Sequence, residues 1–157
     1  MTSEELYQRY VWAGAMTRNA DALADLFTAD GVLESPLVPP GHAYPRRLEG
    51  REQIRTAMAA YYQRSADASL TADASLTADA SLTADASKTA DASLTADPAA
   101  SRYQVHTTAD PGVFIVEVDA VVNDSAGSTT VSLVQIFRVR DGKIALLRDY
   151  FAPEIVD

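Results

Sequence analysis

One carboxyl group near the end of the chain is a candidate for acid–base chemistry. Asp149 lies in the segment LRDYF (147–151), which has the alternating pattern of a strand. Because neighbouring side chains on a strand point to opposite faces, Asp149 shares a face with Leu147 and Phe151, whereas Arg148 points the other way. A carboxyl group on an apolar face is expected to have a raised pKa, which suits a general acid or general base. The pattern therefore predicts Asp149 as a catalytic residue.

Other interpretations of the polar side chains stay open at this point. Asp149 could instead pair with an arginine near a dimer interface or a strand end. Glu117 and Asp119 share one face of another predicted strand, where a solvated or interface face is favoured over an acid–base pair. His42 lies in a proline-rich loop, 36–47, where it could be the acid or base of a lid or simply be exposed to solvent.

The composition argues against several classes of function. The chain has no cysteine and only two histidines, His42 and His106, so thiolate zinc sites, cysteine nucleophiles and multi-histidine metal sites are excluded. We expect no metal or other cofactor. A net charge of −9 argues against nucleic acid and anionic membranes as partners. The polar, acidic N-terminus and the lack of a membrane-length apolar stretch predict a soluble, cytoplasmic protein.

The middle of the chain is a tandem repeat. From residue 66 the hexapeptide ADASLT occurs five times, with Lys88 in place of one leucine, and the tract extends to Asp97. On a helix, successive leucines of such a repeat fall about 120° apart, so no single apolar face forms. The tract is too short to favour a stacked β-helix. We interpret 66–97 as an insert in a single domain, 1–157, that is either helical, extending the preceding helix, or disordered, and we assign it no chemistry.

Outside the insert, helical patterns come first and strand patterns follow, an order typical of α+β proteins. Three helices are predicted, over 3–17, 19–28 and 51–64, with Ser3 and Asn19 as N-caps. Strands are predicted over 32–35, 101–107, 112–122, 128–140 and 143–151, with Asp141-Gly142 as a hairpin turn. The sheet should be mainly antiparallel. Three helices cannot cover a curved sheet of this length, so it should also enclose a pocket.

Four segments carry a resemblance to a known family. They are RYVWAGAMTRNADALADLFTADGVLESP (9–36), LEGREQI (48–54), ADPGVFIVEVD (109–119) and RDGKIALLRDYFAP (140–153). The first two resemble SnoaL-like proteins, a branch of the nuclear transport factor 2-like superfamily that includes ketosteroid isomerases and polyketide cyclases. The last two are closer to the phenazine-biosynthesis branch. The resemblance implies a cone-shaped α+β domain, three N-terminal helices on a curved sheet around a pocket, and a homodimer formed through the sheet.

The resemblance also implies roles for individual residues. In ketosteroid isomerases the general base is an aspartate before the proline that ends the first strand, and Ser35 stands there in this chain, which disfavours that mechanism. Tyr10 matches the helix-one tyrosine that donates to the substrate oxygen. Gln135 stands where isomerase relatives place an oxyanion-stabilising acid, and Tyr103 replaces a histidine of the phenazine branch. Asp149 falls where that branch and several cyclases place a pocket acid.

Together these features predict a protein that binds a small apolar molecule. One function is isomerase- or cyclase-type acid–base chemistry on a polyketide-, steroid- or phenazine-like ligand. Asp149 is the predicted catalytic residue, and the predicted ligand-binding residues are Tyr10, Ser35, His42, Tyr103 and Gln135. The alternative is a non-catalytic ligand-binding or dimerisation module of the same fold, which the serine at position 35 favours. A third interpretation is a scaffold in which the pocket is incidental.

Overall fold

The computed structural model describes residues 1–78 and 95–156. The helices come first: α1 (Ser3–Val11), continued by a π-helix (Trp12–Met16), then α2 (Ala20–Asp25) and α3 (Arg51–Ala78). The strands are β1 (Phe27–Glu34), β2 (Arg47–Glu49), β3 (Thr95–Thr107), β4 (Val113–Asp124), β5 (Gly127–Arg140) and β6 (Lys143–Tyr150). A short 3₁₀ helix, Pro153–Val156, follows β6. The predicted α+β class is confirmed.

The strands form one sheet in the order β2-β1-β6-β5-β4-β3. Each neighbouring pair is antiparallel except β1 and β6, which are parallel. The β5–β6 hairpin turns at Asp141 and Gly142, whose φ angles are 53° and 74°. Positive φ at both central residues is typical of the type I′ turn, which matches the twist of the flanking strands. The hairpin predicted at Asp141-Gly142 is therefore confirmed, as is the mainly antiparallel sheet.

Several predicted boundaries are wrong by a few residues. Thr2, not Ser3, caps α1: its Oγ1 accepts from the Glu5 backbone N at 3.1 Å, and the Glu5 carboxylate accepts from the Thr2 N at 2.6 Å, a reciprocal capping box. α2 ends at Asp25 because β1 already begins at Phe27, which pairs with Ile144 of β6. Long-range pairing thus overrides the local helical pattern, and β1 is longer than predicted. The three-residue strand β2 was not predicted.

The two ends of the tandem repeat adopt different structures. α3 continues through the first repeat units as far as Ala78, which confirms a helical extension for these residues. β3 begins at Thr95, and the last residues of the repeat pair with β4, Ala96 opposite Val122 and Asp97 opposite Val121. The strand at this end was not predicted from sequence, because its pairing partners lie far along the chain. The prediction for 79–94 lies outside the described residues.

The helices pack on one face of the sheet. The core under them includes Phe27, Phe137, Ile144 and Leu147, whose side chains are fully buried. Burial of each such side chain stabilises the fold by roughly 1.5–3 kcal/mol. No helix within the described ranges is both long and apolar enough to span a membrane.

The opposite face of the sheet carries charged side chains. On it the Glu117 carboxylate lies 2.7 Å from His106 Nε2, and the Asp119 carboxylate accepts from Ser132 Oγ at 2.6 Å. Glu117 is 62% exposed and faces away from the helices, as either a solvated or an interface face would require.

Candidate functional site

A cavity of about 830 Å³ lies between the helices and the sheet. This volume is in the range of small-molecule sites. Its walls are mainly aromatic and aliphatic: α1 contributes Tyr7 and Tyr10, the loop after β1 contributes Tyr44, α3 contributes Tyr61 and Tyr62, and β4 and β5 contribute aliphatic side chains. The polar side chains of the sheet that reach the cavity include Gln135 and Asp149. The arrangement therefore surrounds one carboxyl group with apolar and phenolic surface.

Asp149 and Gln135 are direct neighbours across β6 and β5. Both side chains are buried, and Gln135 Nε2 donates a hydrogen bond to Asp149 Oδ2 at 3.0 Å. The other oxygens of the pair, Asp149 Oδ1 and Gln135 Oε1, have no hydrogen-bond partner in the part of the chain that the structure describes. Buried polar atoms are almost always satisfied in folded proteins. The two unsatisfied oxygens therefore suit hydrogen bonds with a ligand.

The ionisation of Asp149 is shifted toward neutral pH. Burial raises the pKa of Asp149 from 3.8 to about 7, and the hydrogen bond from Gln135 opposes this rise. No ion pair to Asp149 occurs among the described residues. Arg148 instead donates to Glu34 at 2.8 Å on the other face of the sheet, as strand alternation predicts. Near pH 7 the carboxyl group is thus divided between its protonated and ionised forms, which general acid–base catalysis requires.

Two tyrosines complete the inner part of the cavity. The Tyr10 ring packs edge-on against Phe137 at 5.4 Å, and the Tyr44 ring packs edge-on against Tyr61 at 4.9 Å and Phe151 at 5.4 Å. Burial, and then the charge of Asp149, raise the pKa of both phenols well above 10. They therefore stay protonated and can donate hydrogen bonds. Tyr10 was predicted from sequence to contact the ligand, and Tyr44 comes from the proline-rich loop 36–47.

Ser35 and His42 lie beside this site rather than on the cavity wall. Ser35 directly follows β1 and is 1% exposed. It is close enough to Tyr44 to lower the pKa of that phenol, against the larger effect of burial. Its Oγ makes no hydrogen bond of ordinary geometry to a described residue. His42 Nδ1 accepts from the Tyr44 backbone N at 3.0 Å. Ser35 and His42 are therefore placed to hold the loop that carries Tyr44.

Tyr103 lines the outer part of the cavity. Its ring lies 4.9 Å from that of Tyr7, while its hydroxyl donates to Glu4 and accepts from Gln8, each at 3.1 Å. The hydroxyl is therefore engaged between β3 and α1. Sequence reasoning did not assign Tyr7 or Tyr62 to the site. The spacing of Tyr7 and Tyr10, three residues apart on one helix, is the signal that places both on the same face.

The arrangement can move a proton and stabilise charge on an oxygen. Asp149 can take up or release a proton near neutral pH, and the phenols of Tyr10 and Tyr44 can donate to a developing oxyanion. Among the described residues, no group of three or more His, Asp or Glu side chains is placed to hold a metal ion. The candidate site is therefore built from Asp149, Gln135 and the two phenols.

Comparison with known proteins places the chain in a family. The sequence model of the SnoaL-like domain matches residues 7–147. An uncharacterized PhzA/B-like protein of Pseudomonas aeruginosa is 30% identical over 142 residues, 88% of this chain and 77% of that protein. A proposed isomerase of Bacillus subtilis shares the fold, with a TM-score of 0.65 and 17% identity over 98% of this chain and 88% of that one. A proposed polyketide cyclase of Pseudomonas putida has a TM-score of 0.57 and 17% identity over 96% and 92% of the two chains. The chain belongs to the SnoaL-like family.

Proposed function

We propose that the protein is an acid–base enzyme of the isomerase or cyclase type, acting on a small apolar polyketide-, steroid- or phenazine-like metabolite. The observation that carries the proposal is the Asp149 carboxyl group, buried in an aromatic cavity with a pKa of about 7 and one oxygen without a partner among the described residues. A buried carboxyl group lowers stability when it ionises, and such a cost is typical of functional sites.

The proposed reaction begins with ionised Asp149 removing a proton from a carbon next to a substrate carbonyl. The electron pair of the C–H bond moves toward the carbonyl oxygen, where the phenols of Tyr10 and Tyr44 donate hydrogen bonds to the developing charge. Gln135 holds the Asp149 carboxylate through Oδ2, which leaves Oδ1 to face the substrate. Protonated Asp149 then returns the proton to another carbon. Alternatively the enolate carbon attacks a second carbonyl and closes a ring, and the alkoxide that forms takes the proton back from Asp149.

Proton abstraction can be tested with a generic carbon acid, 5-nitrobenzisoxazole. Removal of its C3 proton breaks the N–O bond and releases a coloured cyanophenolate, so the rate reports a base in an apolar site. We expect the rate to rise with pH to a plateau with a midpoint near 7, because only ionised Asp149 is a base. Asp149→Asn should lower the rate by at least about 100-fold. Glu117→Gln, which removes an exposed carboxylate on the other face, is the matched control.

A rate that does not change in Asp149→Asn would contradict the enzymatic proposal. A second candidate is then a ligand-binding module without catalysis, which the buried Ser35 favours because no carboxylate stands at that position. Native mass spectrometry of the purified protein helps to distinguish the enzyme from the binding module. The binding module is supported if an apolar molecule stays bound and wild type eliminates 5-nitrobenzisoxazole no faster than Asp149→Asn.

We also propose that the protein is cytoplasmic and forms a homodimer through the outer face of the sheet. We further propose that residues 66–97 are an insert into a single domain. Val134 is 37% exposed on that face and lies opposite Tyr150, and Ile136 and Ile115 continue the apolar patch. A second copy of the chain would bury these side chains, as dimer interfaces commonly do.

Removing three whole repeat units, residues 72–89, tests the insert and the dimer together. The core residues whose burial the structure describes lie outside this segment, so we expect the free energy of unfolding to change by no more than about 1 kcal/mol. Sedimentation velocity should find a dimer for both wild type and the shortened chain. Loss of cooperative unfolding would contradict the assignment of an insert, and a monomeric wild type would contradict the dimer.

A further inference from the structure

The outer part of the cavity is basic, in contrast to the protein as a whole. Arg18 and Arg64 both line the cavity, Arg18 just after the π-helix and Arg64 on α3. Burial raises the pKa of the Tyr61 hydroxyl, and the charges of both guanidinium groups oppose this rise, so both lie in the neighbourhood of Tyr61. This is unexpected in a chain whose net charge is −9.

The two arginines retain donors for a ligand. Arg64 Nη2 donates to the Ala43 carbonyl at 3.2 Å, which uses one of the five donors of a guanidinium group. In the described part of the chain the Arg18 side chain has neither a hydrogen bond nor an ion pair to a carboxylate. Of the described carboxylates, Asp149 alone lines the cavity, and it lies with Gln135 on the sheet.

The cavity therefore has two polar ends separated by apolar surface. Its inner end presents Asp149 and the phenols, its rim presents Arg18 and Arg64, and the ring of Tyr62 is also part of the wall. A third arginine on the wall, Arg102 of β3, lies opposite Asp119 of β4, so strand alternation directs its side chain to the outer face of the sheet. Guanidinium groups bind carboxylates with short, charge-assisted hydrogen bonds. A ligand with a cationic end would be repelled at this rim, whereas a ligand with an anionic end would be attracted to it.

We propose that the substrate is an apolar carboxylic acid whose carboxylate binds Arg18 and Arg64 at the rim while its reacting carbon reaches Asp149. This inference rests on the proposed function and specifies its substrate class. The rim then fixes the orientation of the substrate, because only one end of the molecule carries the charge. Binding energy at the rim would hold the reacting end in place against Asp149.

A pair of fluorescent probes with one apolar body tests the rim. 4-(Pyren-1-yl)butanoate carries a carboxylate, and 4-(pyren-1-yl)butan-1-ol carries a neutral hydroxyl in its place. At low ionic strength we expect wild type to bind the butanoate at least about fivefold more tightly than the alcohol. The double variant Arg18→Gln/Arg64→Gln should bind the two probes with Kd values within about twofold, as the charge contribution is removed.

Arg138→Gln is the matched control, since Arg138 is exposed on β5 and follows Phe137, which faces the core. It should keep the preference of wild type for the butanoate. Equal binding of both probes by wild type, or a preference that survives in the double variant, would contradict the carboxylate assignment and leave the proposed function standing. Failure of wild type to bind either probe would contradict both, because the cavity would then not accept an apolar ligand.

Discussion

The variant Asp149→Asn should be more stable than wild type at pH 8 and nearly equal to it at pH 4. Burial raises the pKa of Asp149 from 3.8 to about 7, so between these values the folded protein keeps a proton that the unfolded chain has released. The contribution of Asp149 to stability is therefore fully present below pH 4, falls as pH rises toward 7 and is lost above it. The complete loss corresponds to about 4 kcal/mol. Asparagine stays neutral at every pH and removes this loss.

Urea unfolding of wild type and Asp149→Asn at pH 4, 6 and 8 measures the effect. The difference in the free energy of unfolding should grow with pH in favour of the variant. Glu117→Gln removes a carboxylate that is exposed and paired with His106, so it should not show this growth. A variant that is equally destabilised at pH 4 and pH 8 would contradict the prediction, because the effect would then come from packing and not from ionisation.

Phe137→Ala should cause the largest loss of stability among these variants, because its ring lies in the core behind the cavity wall. Phe137 is fully buried, stacks on Phe114 at 4.7 Å and contacts the edges of Tyr7 and Tyr10 at 6.0 and 5.4 Å. Removal of a buried phenyl ring costs roughly 3–5 kcal/mol, since apolar burial is lost and a cavity remains. The ring against which Tyr10 packs is also lost, so ligand affinity should fall together with stability.

Leu37→Ala provides the control for Phe137→Ala. Leu37 lies in the loop after β1 and is 54% exposed, so its truncation should cost less than about 1 kcal/mol. Chemical unfolding at a single pH compares the two variants. A loss below about 1 kcal/mol in Phe137→Ala would mean that the aromatic cluster contributes little to the fold, which would contradict the packing described above.

The fold and the orientation of Asp149 were accessible from sequence because both depend on local regularities. Strand alternation alone places Asp149 and Arg148 on opposite faces, and the structure confirms this for both side chains. The Asp141-Gly142 turn was equally accessible, since positive φ at both central positions favours these residue types. Each of these features is decided by residues within a few positions of one another.

The pairing of Gln135 with Asp149 could not be predicted in the same way. Counting residues outward from the hairpin turn would place Gln135 opposite Arg148. An irregularity between Arg138 and Val139 shifts the register by one residue and brings Asp149 opposite Gln135 instead. Such β-bulges depend on packing on both sides of the sheet, which a single sequence does not reveal.

The positions of Ser35, His42 and Tyr44 depended on the path of a long loop. The sequence indicated a proline-rich loop and named His42 and Ser35 as ligand contacts, but the structure brings Tyr44 to the cavity and places the other two beside it. Loop conformation here is decided by edge contacts of the Tyr44 ring with Tyr61 and Phe151, which are remote in sequence. Ligand contacts by Ser35 and His42 stay predictions.

The Asp149 carboxyl group should ionise near neutral pH inside the cavity. Carbon-13 NMR of protein labelled at its aspartate carboxyl groups can follow this ionisation directly, with the Asp149 signal assigned by its absence in Asp149→Asn. We predict a titration midpoint near pH 7 for this signal. A midpoint near 3.8, the ordinary value for aspartate, would contradict the account.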